Sequence, residues 1–263
     1  MLSELERLFL SGEIVYHAGR QDASAGSCGL RSAVVKGSAD DGQPLSVRVL
    51  VRTAKEPRCS HELTGYRLHR IGPFDTCFPV TVLRADGLLV QERIGKAVFD
   101  RAHLLDLRNK GRDAVKPLHM WRDRHINESS SFQYYLENNS VFQDQMEQAH
   151  VERLIWGSFD SRASNFAVRV SSGQPRVAVI DLGKAFPVER QLPPPKIRYF
   201  KGLALKPSTL KKIAAYAEVL GSESLSAEAV ESLSPAQMAA MNYRLDWLLK
   251  YKRLPPVEFA SAA

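Results

Sequence analysis

The segment spanning residues 150–187 constrains this chain more than any other. It contains Leu154-Ile-Trp-Gly-Ser-Phe-Asp160-Ser-Arg-Ala-Ser-Asn165-Phe-Ala-Val and then Val177-Ala-Val-Ile-Asp181-Leu-Gly183-Lys-Ala-Phe-Pro187. Apolar positions at Val141, Met146, Val151, Leu154 and Ile155 predict a helix over 141–156, ended by Gly157. A polar loop with Asp160 and Asn165 follows. Residues 165–170 and 176–180 read as two short strands joined by Ser171-Ser-Gly-Gln-Pro175, a run of turn formers. A hairpin of this length returns its second strand to the loop, so Asp181 ends up beside Asn165.

Those residue types in that order suit phosphoryl transfer. One carboxylate must orient an attacking hydroxyl and accept its proton. An amide oxygen and a second carboxylate must hold Mg²⁺ against the β- and γ-phosphates. A lone D-x-x-x-x-N is a weak signal, and so is D-L-G after an apolar run. Their joint occurrence around a hairpin is far more specific.

The loop resembles the H-R-D-L-x-x-x-N catalytic loop of protein kinases, and Asp181-Leu-Gly183 resembles their D-F-G. Gly157-x-x-Asp160-x-Arg162-x-x-Asn165-Phe is similar to the loop of HipA-type toxin kinases and actin-fragmin kinases. Ile180-Asp-Leu-Gly-Lys-Ala-Phe-Pro187 is similar to the metal-binding segment of type II phosphatidylinositol 4-kinases. The close match covers about 40 residues. The resemblance implies a catalytic Asp160, an Arg162 that meets the γ-phosphate, Asn165 and Asp181 as metal ligands, and Gly183 as the residue permitting the turn. ATP and Mg²⁺ are the implied cofactors. Asp123-Arg-His-Ile-Asn127 looks superficially like another kinase loop, but its Asn falls one residue short and no strand pair ending in Asp follows.

The first third reads as strands over 13–18, 30–36 and 45–52, a helix over 60–70 with Ser60 as its N-cap, and strands over 78–83 and 88–92 around the turn Arg84-Ala-Asp-Gly87. This β-β-β-α-β-β order is that of the small lobe of protein kinases. The predicted fold is therefore α+β and two-lobed: a small antiparallel β-lobe with one helix over 1–94, a larger, mainly helical lobe over 95–253, and a loose tail over 254–263. Gly26-Ser-Cys-Gly29 falls where a phosphate-covering loop belongs. Val49-Leu-Val-Arg52 matches V-A-I-K except that Arg replaces Lys, with Glu62 as the natural partner of Arg52. Arg48 shares its face, and Lys36 on the preceding strand is a further substitute. Glu92 and Ile94 fall at the hinge, where backbone groups would meet adenine.

No A-P-E follows Asp181. Pro193-Pro-Pro-Lys-Ile-Arg-Tyr-Phe-Lys201, then Lys206, Lys211 and Lys212, present basic and aromatic residues instead. With a net charge of +7, these suit a protein substrate with an acidic surface, or an anionic phospholipid. No nucleic-acid motif is visible and no such partner is expected. Three cysteines, an odd and sparse set, argue against a disulfide scaffold and for a reducing compartment, and their lack of C-x-x-C spacing argues against zinc. No stretch approaches a transmembrane run, and the N-terminus reads as an amphipathic helix rather than a signal peptide. The expectation is an atypical kinase acting on protein Ser or Thr, cytoplasmic or translocated into a host cell by a non-Sec route as a bacterial effector. A phosphoinositide kinase, a pseudokinase binding module and an AMP transferase are the alternatives.

Overall fold

A computed structural model describes residues 2–21, 31–53, 57–94, 138–161, 165–171, 174–222 and 232–256 of the chain. The predicted segments around Gly26, Gly29, Arg162 and Asp123–Asn127 lie outside them. The chain divides into two units. The first comprises Met1–Tyr66 and Pro79–Arg93, the second Arg67–Phe78 and Ile94–Ala263. The α+β class is thus as predicted, a small antiparallel β unit and a larger, mainly helical one. Residues 67–78, grouped with the first lobe on sequence, pack in the second.

In the first unit, β1 (Glu13–Gln21), β2 (Arg31–Ser38), β3 (Pro44–Thr53), β4 (Thr81–Leu83) and β5 (Leu88–Glu92) form one antiparallel sheet ordered β1-β2-β3-β5-β4. The β-branched run of β3 alternates its burial: Val49 and Val51 are buried, Arg48 is exposed and Arg52 half-buried. Cross-strand pairing puts Ala33 and Val35 of β2 and Val90 of β5 on the valine face. Helix α1 (Glu4–Ser11), opened by a Ser3–Glu6 capping box, packs against β2 and β4 and buries Leu8 and Phe9. Each such side chain contributes roughly 1.5–3 kcal/mol.

Helix α2 (Pro57–Ile71) begins three residues before the predicted N-cap Ser60. Pro57 fits the first turn, where its missing N–H costs nothing. The helix places Glu62, almost fully buried, where its carboxylate accepts a hydrogen bond from Gln91 Nε2 at 3.2 Å. Gln91 pairs with Leu50 and Thr81 across the sheet. Glu62 therefore covers the face that carries Arg48 and Arg52, opposite the valines.

The second unit is built around α3 (Ser140–Ile155), capped by Asn139. It is buried on nearly all sides, so its polar residues need partners inside the protein. Glu152 takes His69 Nδ1 at 2.8 Å and the Thr76 hydroxyl. Gln148 Oε1 accepts from the Asp75 backbone N–H at 2.8 Å, and Glu147 from that of Lys206 at 3.1 Å. β6 (Phe166–Ser171) and β7 (Gln174–Val179) make the predicted hairpin. Cys77 bridges β7 through its N–H to Val177 O at 2.8 Å and its carbonyl from Val179 N at 3.1 Å. Helices α4 (Pro207–Gly221) and α5 (Pro235–Tyr251) pack on α3 and on each other. The start of the predicted loose tail is held: Leu254 is fully buried, its N–H bonds Leu203 O at 2.9 Å, and Pro255 O accepts from Gly202 N at 3.2 Å.

Candidate functional site

The site grows from the C-terminal end of α3. Trp156 caps the helix and Gly157 follows with φ +66°, a left-handed turn open to glycine. A Cβ there would lie 2.5 Å from Pro187 Cδ, so the glycine is also the residue that lets the segment after Asp181 lie against the helix end. Arg244 of α5, fully buried, donates from Nε to Ile155 O and from Nη1 to Glu189 O, both at 2.9 Å. Its cation at a helix C-terminus is favoured by the helix dipole, while burial lowers its pKa to about 10.

The polar loop then turns back on itself. Asn165, buried, donates from Nδ2 to the Asp160 carbonyl at 2.7 Å. Its own carbonyl accepts from the Ile180 N–H at 3.2 Å. The loop asparagine is thus tied directly to the loop aspartate on one side and to the residue before Asp181 on the other. The structure brings together Asp160, Asn165 and Asp181, the three residues singled out on sequence.

The side chain of Asp160 is 26% exposed, and its Oδ1 lies 2.8 Å from Lys196 Nζ. Lys196 comes from the proline-rich segment after Asp181, and its N–H donates to Ser161 Oγ at 2.9 Å. The segment without A-P-E is therefore docked on the loop. Asp181 is exposed and holds φ 60°. Left-handed backbone costs an ordinary residue roughly 1–2 kcal/mol, and Asp tolerates it better than most. Gly183, expected to permit the turn, is not the residue in that conformation: among the described residues of this segment, Asp181 and Phe186 (φ 59°) are. Phe186 is held there by its N–H to Trp156 O at 2.6 Å and by Gln237 Nε2 on its carbonyl at 2.7 Å.

Sequence reasoning missed Arg153. This fully buried residue of α3 donates from Nη1 to Ile180 O at 2.6 Å and Asn165 O at 3.3 Å. From Nη2 it reaches Ser158 Oγ at 2.8 Å, Asp160 O at 2.9 Å and Asp181 O at 3.4 Å. Its guanidinium also stands 5.5 Å from the Phe166 ring centroid. The available signal was a charged pair, Glu152-Arg153, inside the apolar end of a predicted helix.

The remaining predicted residues fall elsewhere. Arg52 and Glu62 share a sheet face, and Gln91 Nε2 donates to the Glu62 carboxylate at 3.2 Å. Sheet alternation explains this, since Gln91 stands directly across from Leu50 beneath the helix. Glu92 ends β5 and accepts from the Val80 N–H at 3.2 Å, while Ile94 packs with Ile180 on Cys77 and Ala178. Of the predicted basic stretch, Lys206 and Lys212 contact Asp144 and Asp75, and Arg198, Lys201 and Lys211 are exposed.

Among the described residues no three His, Cys, Asp or Glu side chains cluster as a metal site. The donor set at Asn165 and Asp181 is one amide and one carboxylate. With Nδ2 given to the loop backbone, the amide's other polar atom is its oxygen, a hard donor of the kind Mg²⁺ takes. The residues present fit a Mg²⁺ ion that keeps several waters or phosphate oxygens.

No family model and no curated protein sequence matches this chain. Among solved structures, the chain is similar to the Helicobacter pylori proinflammatory kinase CtkA, at 12% identity and a TM-score of 0.48, over 94% of this chain and 95% of that one.

Proposed function

We propose that the chain is an atypical kinase that uses ATP and Mg²⁺ to phosphorylate a Ser or Thr hydroxyl of a protein. The observation that carries this reading is the knot of loop and strand end in which Asn165 is bonded both to Asp160 and to Ile180, next to Asp181. Asp160 presents a partly exposed carboxylate that can orient a hydroxyl and take its proton. Asn165 and Asp181 would hold Mg²⁺, which neutralises charge on the transferring phosphate when bound. Arg162 would add a cation near the γ-phosphate. In the first unit, Arg52, on the sheet face covered by Glu62, would meet phosphate in place of the usual lysine, with Gly26 and Gly29 in the covering loop. Glu92 and Ile94 would offer backbone groups to adenine.

The test is incubation with γ-labelled or α-labelled ATP and Mg²⁺, using a cell lysate and mixed phosphoinositides as acceptors, beside Asp160→Ala and Asp181→Ala. The expected result is γ-label on protein, lost in both variants. Label on lipid would make the chain a phosphoinositide kinase, and α-label a nucleotidyl transferase. ATP binding without transfer would make it a pseudokinase.

A further inference from the structure

A single buried guanidinium touches every part of the site. Arg153 has four N–H groups on its two terminal nitrogens and meets five acceptors, so at least one N–H is shared. Four of the acceptors are the carbonyls of Asp160, Asn165, Ile180 and Asp181. These are the backbone positions of the proposed base and of both proposed metal ligands, with the residue between the hairpin and Asp181. The fifth is the Ser158 hydroxyl, which fixes the start of the loop.

The backbone around Asp181 fits the same scheme. Its left-handed φ of 60° accompanies a carbonyl within reach of Arg153 and a residue that is exposed, so the main chain faces the guanidinium while the side chain remains accessible. The guanidinium is planar and rigid, so acceptors bound to it cannot drift independently. Phe166, the first residue of β6, lies against it and closes the arrangement on the hairpin side.

We propose that Arg153 is a positioning residue: it sets the spacing between Asp160, which takes the proton, and Asn165 and Asp181, which hold the metal. It does so through their carbonyls and touches no substrate. The inference rests on the kinase reading for its consequence in activity, and on geometry alone for its consequence in structure.

The test is Arg153→Lys in the full chain. Lysine keeps the charge but offers three N–H groups from one point, which cannot span acceptors on both loop and strand end. Folding is checked by circular dichroism. The expected result is a Mg²⁺ half-saturation raised by about 10-fold or more and kcat lowered by about 10–100-fold, the range seen when groups supporting metal ligands are removed. KM for ATP at saturating Mg²⁺ stays within about threefold, because Arg153 does not bind nucleotide. Hydrogen exchange at the Ile180 amide, which donates to Asn165 O, rises by about 10-fold as the cross-link loosens. A folded variant with Mg²⁺ half-saturation and Ile180 exchange within about twofold of the parent would overturn the proposal. If the parent protein transfers no phosphate, the kinase reading fails, and Ile180 exchange still decides the role of Arg153. Should Arg153→Lys fail to fold, Ser158→Ala removes one of the five contacts and carries the test. A rise in Ile180 exchange of about twofold or more supports the proposal, and unchanged exchange overturns it.

Discussion

Replacing Gly157 by alanine tests the turn on which the candidate site is hung. The added Cβ would meet Pro187 Cδ at 2.5 Å, Pro187 Cγ at 2.7 Å and Arg244 Cζ at 3.0 Å. Two costs arise. A left-handed alanine at φ +66° costs about 1–2 kcal/mol. Forcing a methyl into occupied space costs about 1–3 kcal/mol more. The sum is about 2–5 kcal/mol, which at this chain length lowers the melting temperature by about 10 °C. The two costs separate in a cycle with Pro187→Ala, which removes the two closest atoms. In that background Gly157→Ala should cost about 1–2 kcal/mol, leaving a coupling of about 1–3 kcal/mol. Urea unfolding followed by tryptophan fluorescence suits the measurement, because Trp156 is fully buried and adjacent. Equal costs in both backgrounds would show that the Pro187 contact is not the source. A cost below about 1 kcal/mol would refute the turn itself.

Three further outcomes follow from the same interactions. Burial, with a smaller contribution from the Arg153 charge, lowers the His150 pKa to about 3 from an ordinary 6.5. The stability this represents is present above pH 6.5 and lost as pH falls toward 3, so going from pH 7.5 to 5 should cost about 2 kcal/mol through this group. His150→Gln should remove that slope in urea titrations at the two pH values, and an unchanged slope would contradict it. Tyr216 is fully buried and its hydroxyl accepts from Trp156 Nε1 at 3.1 Å, so Tyr216→Phe should cost about 1–3 kcal/mol in urea unfolding by stranding the indole N–H. The hydrogen bond from Lys212 is the main cause of a lowered Asp75 pKa, so Lys212→Ala should let the Asp75 carboxyl titrate at higher pH by NMR. An unmoved titration would show that the pair is not formed in solution.

Much of the candidate site's arrangement was legible in the sequence because it is local in the chain. Asp160, Asn165 and Asp181 were marked by residue type and by the hairpin between them, and β6 and β7 formed where alternating valines and a turn-forming loop placed them. β3 was equally readable, since its period-two burial is written in residue order. Helix α3 was readable as a helix but not as a buried post. Glu147, Gln148, His150, Glu152 and Arg153 look on sequence like a solvated face, and only the packing around them makes each one an internal partner.

The turn after the hairpin shows the same limit. Glycine at 183 drew attention because glycine alone turns freely, yet Asp181 takes the left-handed conformation, where its carbonyl meets Arg153. The Gln91–Glu62 hydrogen bond likewise depended on which side chain the sheet register places under α2. The sequence by itself determined the polar groups and the order of elements, because these follow from residue type and short-range periodicity. Tertiary structure alone decided what holds those groups in place. Carbonyls carry no sequence signature, and a guanidinium on a helix meets them only after helix, loop and hairpin have packed together.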